Sequence, residues 1–362
     1  MIKYLGSKRT LVPTIVDAIN CIDGTASVID LFSGTSRVGH ALKRAGYKVL
    51  SNDHNEYAAT LARCYVESDD DLVRDAERLV REFNALNGSP GYFTDTFCIR
   101  SRFFQPKNGE RVDAIREAIE AKGLPSDLRA VMLVSLMEAA DRVDSTTGVQ
   151  MAYLKSWAAR ANNDLHLRVP DLLPRAPHGK GEAHCLEAFA AAQTLTADVA
   201  YIDPPYNQHS YLGNYHVWES LIRWDKPEVY GIACKRIDCR ERPSIFNSRP
   251  RFREAMKTVL HSVRAQTLVV SFNNEGYLSR DEMETLLGEL WDGQAKVLTI
   301  TKDYKRYVGA QIGIYNPQGE KVGKVSHLRN KEFLYVASLR DLSGPLARFT
   351  TPTAEQSSLF AL

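Results

Sequence analysis

Residues 199–206 read VAYIDPPY. An apolar run ends in an acid, two prolines and a tyrosine, more chemistry than a strand needs merely to stop. The prolines stiffen the turn and fix φ, and their carbonyls remain able to accept hydrogen bonds. Asp203 accepts when ionised, and Tyr206 offers a flat face for stacking on a ring. Two acceptors and a stacking face suit an amino group on an aromatic heterocycle. Such an amine is a poor nucleophile, because its lone pair is delocalised into the ring. Hydrogen bonds from its two N–H groups to Asp203 and to the Pro204 carbonyl draw it toward tetrahedral geometry and stabilise the charge that develops on attack. By composition alone, Asp203-Pro204-Pro205-Tyr206 arises in roughly one chain in a thousand of this length. The competing reading is a proline-braced strand end.

A second constellation lies near the start. VIDLFSGTSRVGHAL places Asp30, Phe32, Ser33, Gly34, Thr35 and Ser36 at a strand-to-helix turn. Small residues there admit a ligand close to the backbone, and the helix N-terminus offers unpaired N–H groups. About twenty residues on, the next apolar run ends in Asn52-Asp53-His54. An acid at that distance accepts hydrogen bonds from ribose hydroxyls. The pair points to a nucleoside-type cofactor. No Gly-Lys-Ser/Thr follows, so this is not a Walker A loop.

These residues need a sheet to position them. Apolar runs bounded by Gly, Pro, Asn or Asp at 27–32, 47–52, 199–203, 268–272, 296–302 and 333–338 predict strands. A helix predicted over 36–45, closed by Gly46, makes the first two a βαβ unit, so the sheet is expected to be mostly parallel. The last two runs flank a Gly/Pro-punctuated stretch and predict an antiparallel hairpin. Between Tyr65 and about Lys180 the periodicity becomes helical, over 69–86, 109–122 and 126–142. The expectation is an α/β Rossmann-like catalytic domain over 1–66 and 180–340, a helical insert over 67–179 and a flexible tail over 341–362. In a doubly wound sheet ligands sit beyond the carboxyl ends of the strands, where Asp203 falls.

The chain has 362 residues and a formal charge of +2, from 46 basic and 44 acidic side chains. Any nucleic-acid surface must therefore be local. The six cysteines are scattered without zinc-site spacing, as expected of reduced thiols in a cytoplasmic protein. No run approaches a membrane span, and MIKYLGSKRT lacks the apolar core of a signal peptide. His209 and His216 have no ligand spacing and no third partner, so no metal is expected.

The order of these motifs resembles the D12-class, Dam-like alpha group of DNA adenine-N6 methyltransferases. KYLGSKR (3–9) is similar to the family's Lys-Trp-x-Gly-Gly-Lys element, departing at Tyr4 and Ser7. DLFSGTS resembles the Phe-x-Gly-x-Gly loop, with Ser36 in place of the second glycine. Asp53 matches the ribose-binding acid, and HCLEAF (184–189) points to Glu187 beside the cofactor adenine. The tetrapeptide matches without departure, and LVVSFNNEGY (268–277) is similar to the strand beside the target-base pocket. The resemblance implies S-adenosylmethionine as cofactor, held by Tyr4, Gly6, Ser7, Lys8, Asp30, Phe32 to Ser36, Asp53, Glu187 and Asp203. It implies a flipped-out adenine, with Asp203, Pro204, Pro205 and Tyr206 catalytic. Two rival readings are N4-cytosine or RNA-base amino methylation, and a non-catalytic nucleic-acid-binding regulator.

The DNA phosphates are expected on the basic run after the tetrapeptide: Lys235, Arg236, Arg240, Arg249, Arg251 and Arg253. Further candidates are RSRFFQPKNGERVDAIR (100–116) and the hairpin residues Lys302, Lys305, Arg306, Lys321 and Lys324. In the tail, Gln356, Leu359 and Phe360 resemble the short peptide that docks replication proteins on the bacterial sliding clamp. The expected partners are thus duplex DNA, the clamp through this tail and, if the enzyme is restriction-linked, a cognate restriction endonuclease. The expected location is the nucleoid-bearing cytoplasm.

Overall fold

The structure, a computed structural model, describes residues 1–6, 8–208, 210–305 and 329–350. Among the described residues, seven of the nine strands form one sheet: β1 (Ser27–Asp30), β2 (Lys48–Asn52), β3 (Glu182–His184), β4 (Val199–Ile202), β7 (Thr267–Asn273), β8 (Lys296–Lys305) and β9 (Arg329–Ser338). Their order is β3-β2-β1-β4-β7-β9-β8. The first five pair in parallel, while β9 runs antiparallel to both β7 and β8. The remaining two, β5 (Val229–Tyr230) and β6 (Lys235–Arg236), make a separate antiparallel ribbon. The Rossmann-like α/β sheet with an antiparallel end is thus as expected from the sequence.

Both faces of the central strands are apolar because both are covered. Val28, Val199, Tyr201 and Val269 pack on one side with Ile15 and Leu42, from the helices Val12–Asn20 and Arg37–Arg44. Their neighbours in the chain, Ile29, Ala200, Ile202, Leu268 and Val270, face the other side. There they meet Phe252 and Met256 of helix Arg249–Ser262 and Leu286 of helix Arg280–Gly288. Residues alternate faces along each strand, so one short run serves two cores.

A mainly helical block lies between β2 and β3. Helix Val73–Asn84 buries Ala76, Leu79, Val80 and Phe83, the inner face of a 3.6-residue repeat. Helix Ser126–Arg142 is buried around most of its circumference and forms the centre of the block. The block shares its core with Val217, Trp218 and Leu221 of helix His216–Arg223, which follows the tetrapeptide. Buried Arg116 ties the two, donating to the carbonyls of Leu221 (2.8 Å) and Ile222 (2.9 Å) at that helix's C-terminal end. Helical structure already begins at Glu56, before residue 67, and the chain from 143 to 181 holds only one short 3₁₀ turn among its described elements. Phe103 and Phe104, in the candidate segment 100–116, are core residues at 0% and 1% exposure.

Candidate functional site

The first βα turn forms a hydrogen-bonded cup. The Ser33 N–H donates to the Asn52 carbonyl (2.9 Å) and the Ser36 N–H to the Ser33 carbonyl (2.7 Å). The Gly34 N–H donates to Asp53 at 3.0 Å, so the acid at the end of β2 also shapes the turn. Asp53 further accepts from the Asn55 backbone at 3.0 Å. Gly34 has φ +52°, and a Cβ there would come within 3.4 Å of the Tyr4 ring. Ser36 keeps a glycine-like φ of 58°. Its hydroxyl is buried without a hydrogen-bond partner among the described residues.

A cavity of about 700 Å³ opens above this turn and runs to the end of β4. Tyr4, Gly6, Lys8 and Asp30 line it, as do Phe32, Ser33, Gly34 and Thr35 of the turn. Asp53, Glu187, Asp203 and Pro205 complete the predicted residues on its wall. Ser36 does not line it, and Ser7 lies outside the described residues. Glu187 also caps the helix Ala188–Thr194, accepting from the Phe189 N–H. Sequence reasoning missed Arg242, Ile245 and Phe246, which close the opposite wall. They come from the segment after β6, read in sequence only as a charge run.

At the end of β4, Asp203 is ion-paired to Lys8, with Oδ1 and Nζ 3.2 Å apart. Oδ1 accepts no hydrogen bond from the described residues, so the contact is one of charge without aligned donation. Lys8 also lies 3.4 Å from Glu332 and 3.5 Å from the Tyr206 hydroxyl. Tyr206 is packed edge-on against Phe272, centroids 5.0 Å apart. Tyr211, just after the tetrapeptide, lines the cavity and stacks on Tyr4 at 5.2 Å. Tyr215 and Trp218 are core, and buried His216 faces the Gln150 carbonyl at 2.9 Å. His209 lies outside the described residues.

The cavity is acidic but reluctant to ionise. Burial pushes Asp203 up to about 6 against the opposing pull of Lys8. Burial, then the nearby Asp203, push Asp30 up to about 8 despite the Gly39 N–H bonded to it. Asp53 is also raised by burial, with its backbone donors opposing. Three crowded carboxyls favour a ligand that brings positive charge. The Ser33 hydroxyl and Asp203 Oδ1, which have no hydrogen-bond partner among the described residues, leave acceptors for its polar groups. The residues present therefore fit a ligand that carries positive charge and several hydrogen-bonding groups.

The basic run divides. Arg236 is a correction: it is 1% exposed, bonded at 2.7 Å by each prong to Asp225 and paired with Asp238 at 3.0 Å. A guanidinium so enclosed fixes the ribbon and does not reach a phosphate. Arg240 lies exposed over Tyr230, 3.7 Å from the ring centroid, and Lys235 is half-buried. Arg249 and Arg251 are exposed in the first turn of helix Arg249–Ser262, and half-buried Arg253 lies 4.0 Å from Glu282. Of the hairpin candidates Lys302 is exposed on β8; Lys305 ends that strand, and Arg306, Lys321 and Lys324 lie outside the described residues, as do Gln356, Leu359 and Phe360.

A mostly parallel sheet whose first turn and fourth-strand end share one acid-lined cavity is the architecture of a Rossmann-like methyltransferase. The D12 class N6 adenine-specific DNA methyltransferase family matches residues 4–285, and the chain belongs to that family. It is similar to modification methylase StsI of Streptococcus sanguinis, 28% identical over 328 residues that cover 86% of this chain and 49% of that protein. Type II methyltransferase M.FokI of Planomicrobium okeanokoites is 29% identical over 308 residues, 79% of this chain and 46% of its own. Type II methyltransferase M.NlaIII of Neisseria lactamica is 25% identical over 342 residues, 91% of this chain and 99% of its own. The chain thus spans about half the length of the first two and almost all of the third.

Proposed function

We propose that this chain is a site-specific DNA methyltransferase that transfers a methyl group from S-adenosylmethionine to the N6 amino group of an adenine flipped out of duplex DNA. The observation that carries the reading is Asp203. It stands at the carboxyl end of β4, on the same cavity wall as Gly34 and Asp53, with an oxygen that accepts no hydrogen bond from the described residues. When bound, the cofactor supplies an electrophilic sulfonium methyl. Asp53 would hold its ribose hydroxyls, Glu187 its adenine, and Tyr4, Gly6, Asp30 and the Phe32–Thr35 turn the rest. Asp203 and the Pro204 carbonyl would hold the target amine, with the Tyr206 ring as stacking face. Rate then comes from positioning and electrostatics.

The base has to leave the duplex because its amino group is out of reach while paired. Arg249, Arg251, Arg240, Lys235 and Arg253 are the proposed phosphate contacts, and the helical block between β2 and β3 the proposed target-recognition part. Clamp docking through the tail, a restriction endonuclease partner and a cytoplasmic location remain proposals from the sequence. The deciding experiment is expression in a methylation-free host followed by mapping of modified bases. N6-methyladenine at one defined sequence is expected, and none with Asp203→Ala. N4-methylcytosine, or no modification with the wild type, would overturn the assignment.

A further inference from the structure

We propose that Glu332 is a positioning residue for methyl transfer: it is the second seat to which the Lys8 ammonium withdraws when the target amine takes its place on Asp203. The inference rests on the function proposed above. Lys8 Nζ lies 3.2 Å from Asp203 Oδ1 and 3.4 Å from Glu332 Oε2. Lys8 is 8% exposed, so its charge must be compensated from inside the protein. Two carboxylates therefore share one cation.

The sharing follows from topology. β9 runs antiparallel to β7 and places Glu332 opposite Asn273. An antiparallel strand begins where parallel strands end, so the first described side chains of β9 arrive at the carboxyl ends of β4 and β7. Asn273 in turn donates to the Tyr206 hydroxyl at 3.1 Å. Glu332 is thus built into the frame that holds the tetrapeptide.

Lys8, held to Asp203 by charge and already donating to Glu332, and a target amine both seek the same Asp203 oxygen, and they compete for it. Without Glu332, an ammonium displaced from Asp203 would be buried and uncompensated, and the amine would have to carry that cost. With Glu332, Lys8 neutralises the second acid, and the negative charge of Asp203 is left to act on the amine as it becomes positive. The groups facing Asp203 are Lys8 from the N-terminal segment, Glu332 from β9 and Asp30 from β1, with Tyr201 on β4 and Tyr206 and Tyr211 after it. Glu332 raises the Asp203 carboxyl and Lys8 lowers it.

The test compares Glu332→Gln and Glu332→Asp with the wild type on duplex containing the mapped site, and on the same duplex with purine, which lacks the amino group, at the target. For Glu332→Gln a rise of about tenfold in KM for DNA is expected. Its preference in equilibrium binding for adenine over purine should shrink, and its acid limb should move to lower pH. Glu332→Asp, which keeps the charge, should fall between the two, and it carries the test if the glutamine variant melts before assay. A folded Glu332→Gln enzyme with wild-type KM, wild-type preference and an unmoved acid limb overturns the inference while leaving the methyltransferase reading intact. A wild-type protein that methylates no DNA overturns the reading, and the inference with it.

Discussion

The side chain of Asn273 donates to the hydroxyl of Tyr206 at 3.1 Å, joining the end of β7 to the tetrapeptide after β4. Phe272 holds the same ring edge-on from the neighbouring position. One residue fixes where the ring lies and the next fixes its hydroxyl. Replacing Asn273 by Ala should free the hydroxyl while Phe272 still holds the ring. A single such hydrogen bond contributes about 1 kcal/mol, so kcat/KM for DNA should fall roughly fivefold, with cofactor binding unchanged. Steady-state kinetics beside a cofactor titration would show it, and equal losses in both would contradict the assigned role.

Activity should also report the state of Asp203. The carboxyl is held at about 6 by burial, above its ordinary value of 3.8, and the chemistry needs it ionised. Turnover should therefore be full at neutral pH and fall as pH drops through about 6. A kcat/KM profile flat down to pH 5 would remove Asp203 from the titrating role.

Asp30 makes the opposite kind of claim, about stability. Its carboxyl is pushed from 3.8 to about 8, so between those values the folded protein holds a proton that the unfolded chain has released. The contribution is largest at the acid end of the window and is lost as pH rises toward 8. The slope from one such group is at most about 1.4 kcal/mol per pH unit. Asp30→Asn, which can still accept from Gly39, should lose that decline. Urea midpoints of wild type and variant, subtracted at each pH, would isolate the effect from other carboxyls.

The two kinds of arginine should separate experimentally. Arg236→Ala leaves Asp225 and Asp238 to Arg223, removes the buried charge-assisted bonds between them and Arg236, and should cost about 2–3 kcal/mol of stability. Arg249→Ala with Arg251→Ala should leave the melting point near its original value. That pair should instead flatten the salt dependence of DNA binding by about two counterions. An unchanged salt slope would take the helix Arg249–Ser262 out of the interface.

For the tail, truncation of 356–362 should abolish binding to a purified bacterial sliding clamp and leave methylation of short duplexes as it was. Equal clamp binding by the truncated chain would end the docking proposal.

The sequence was most legible where one local pattern carried the whole signal. All six apolar runs are strands; the four in the parallel part are apolar on both faces because both are covered, and each announces itself in five or six residues. Helix Ser126–Arg142 began where the periodicity placed it. The short strand β3, Glu-Ala-His, was invisible, since only its pairing with β2 makes it a strand. Nor could the charge run separate Arg236 from Arg251. Both look like basic residues in a basic segment, and the difference lies in Asp225, which meets one and not the other.

By itself, then, the sequence determined the fold class, the glycine turn with its paired acid, and the tetrapeptide's chemical type. Each is a property of residue types at short spacing, set by backbone sterics and hydrogen-bonding capacity. Tertiary structure alone decided which distant groups meet at the end of β4. It brought Lys8 from the N-terminal segment between Asp203 and Glu332, the latter from the antiparallel strand. It also turned Arg236 inward. Charges interact through space, and their distances are set by strand order and direction, which no local spacing records.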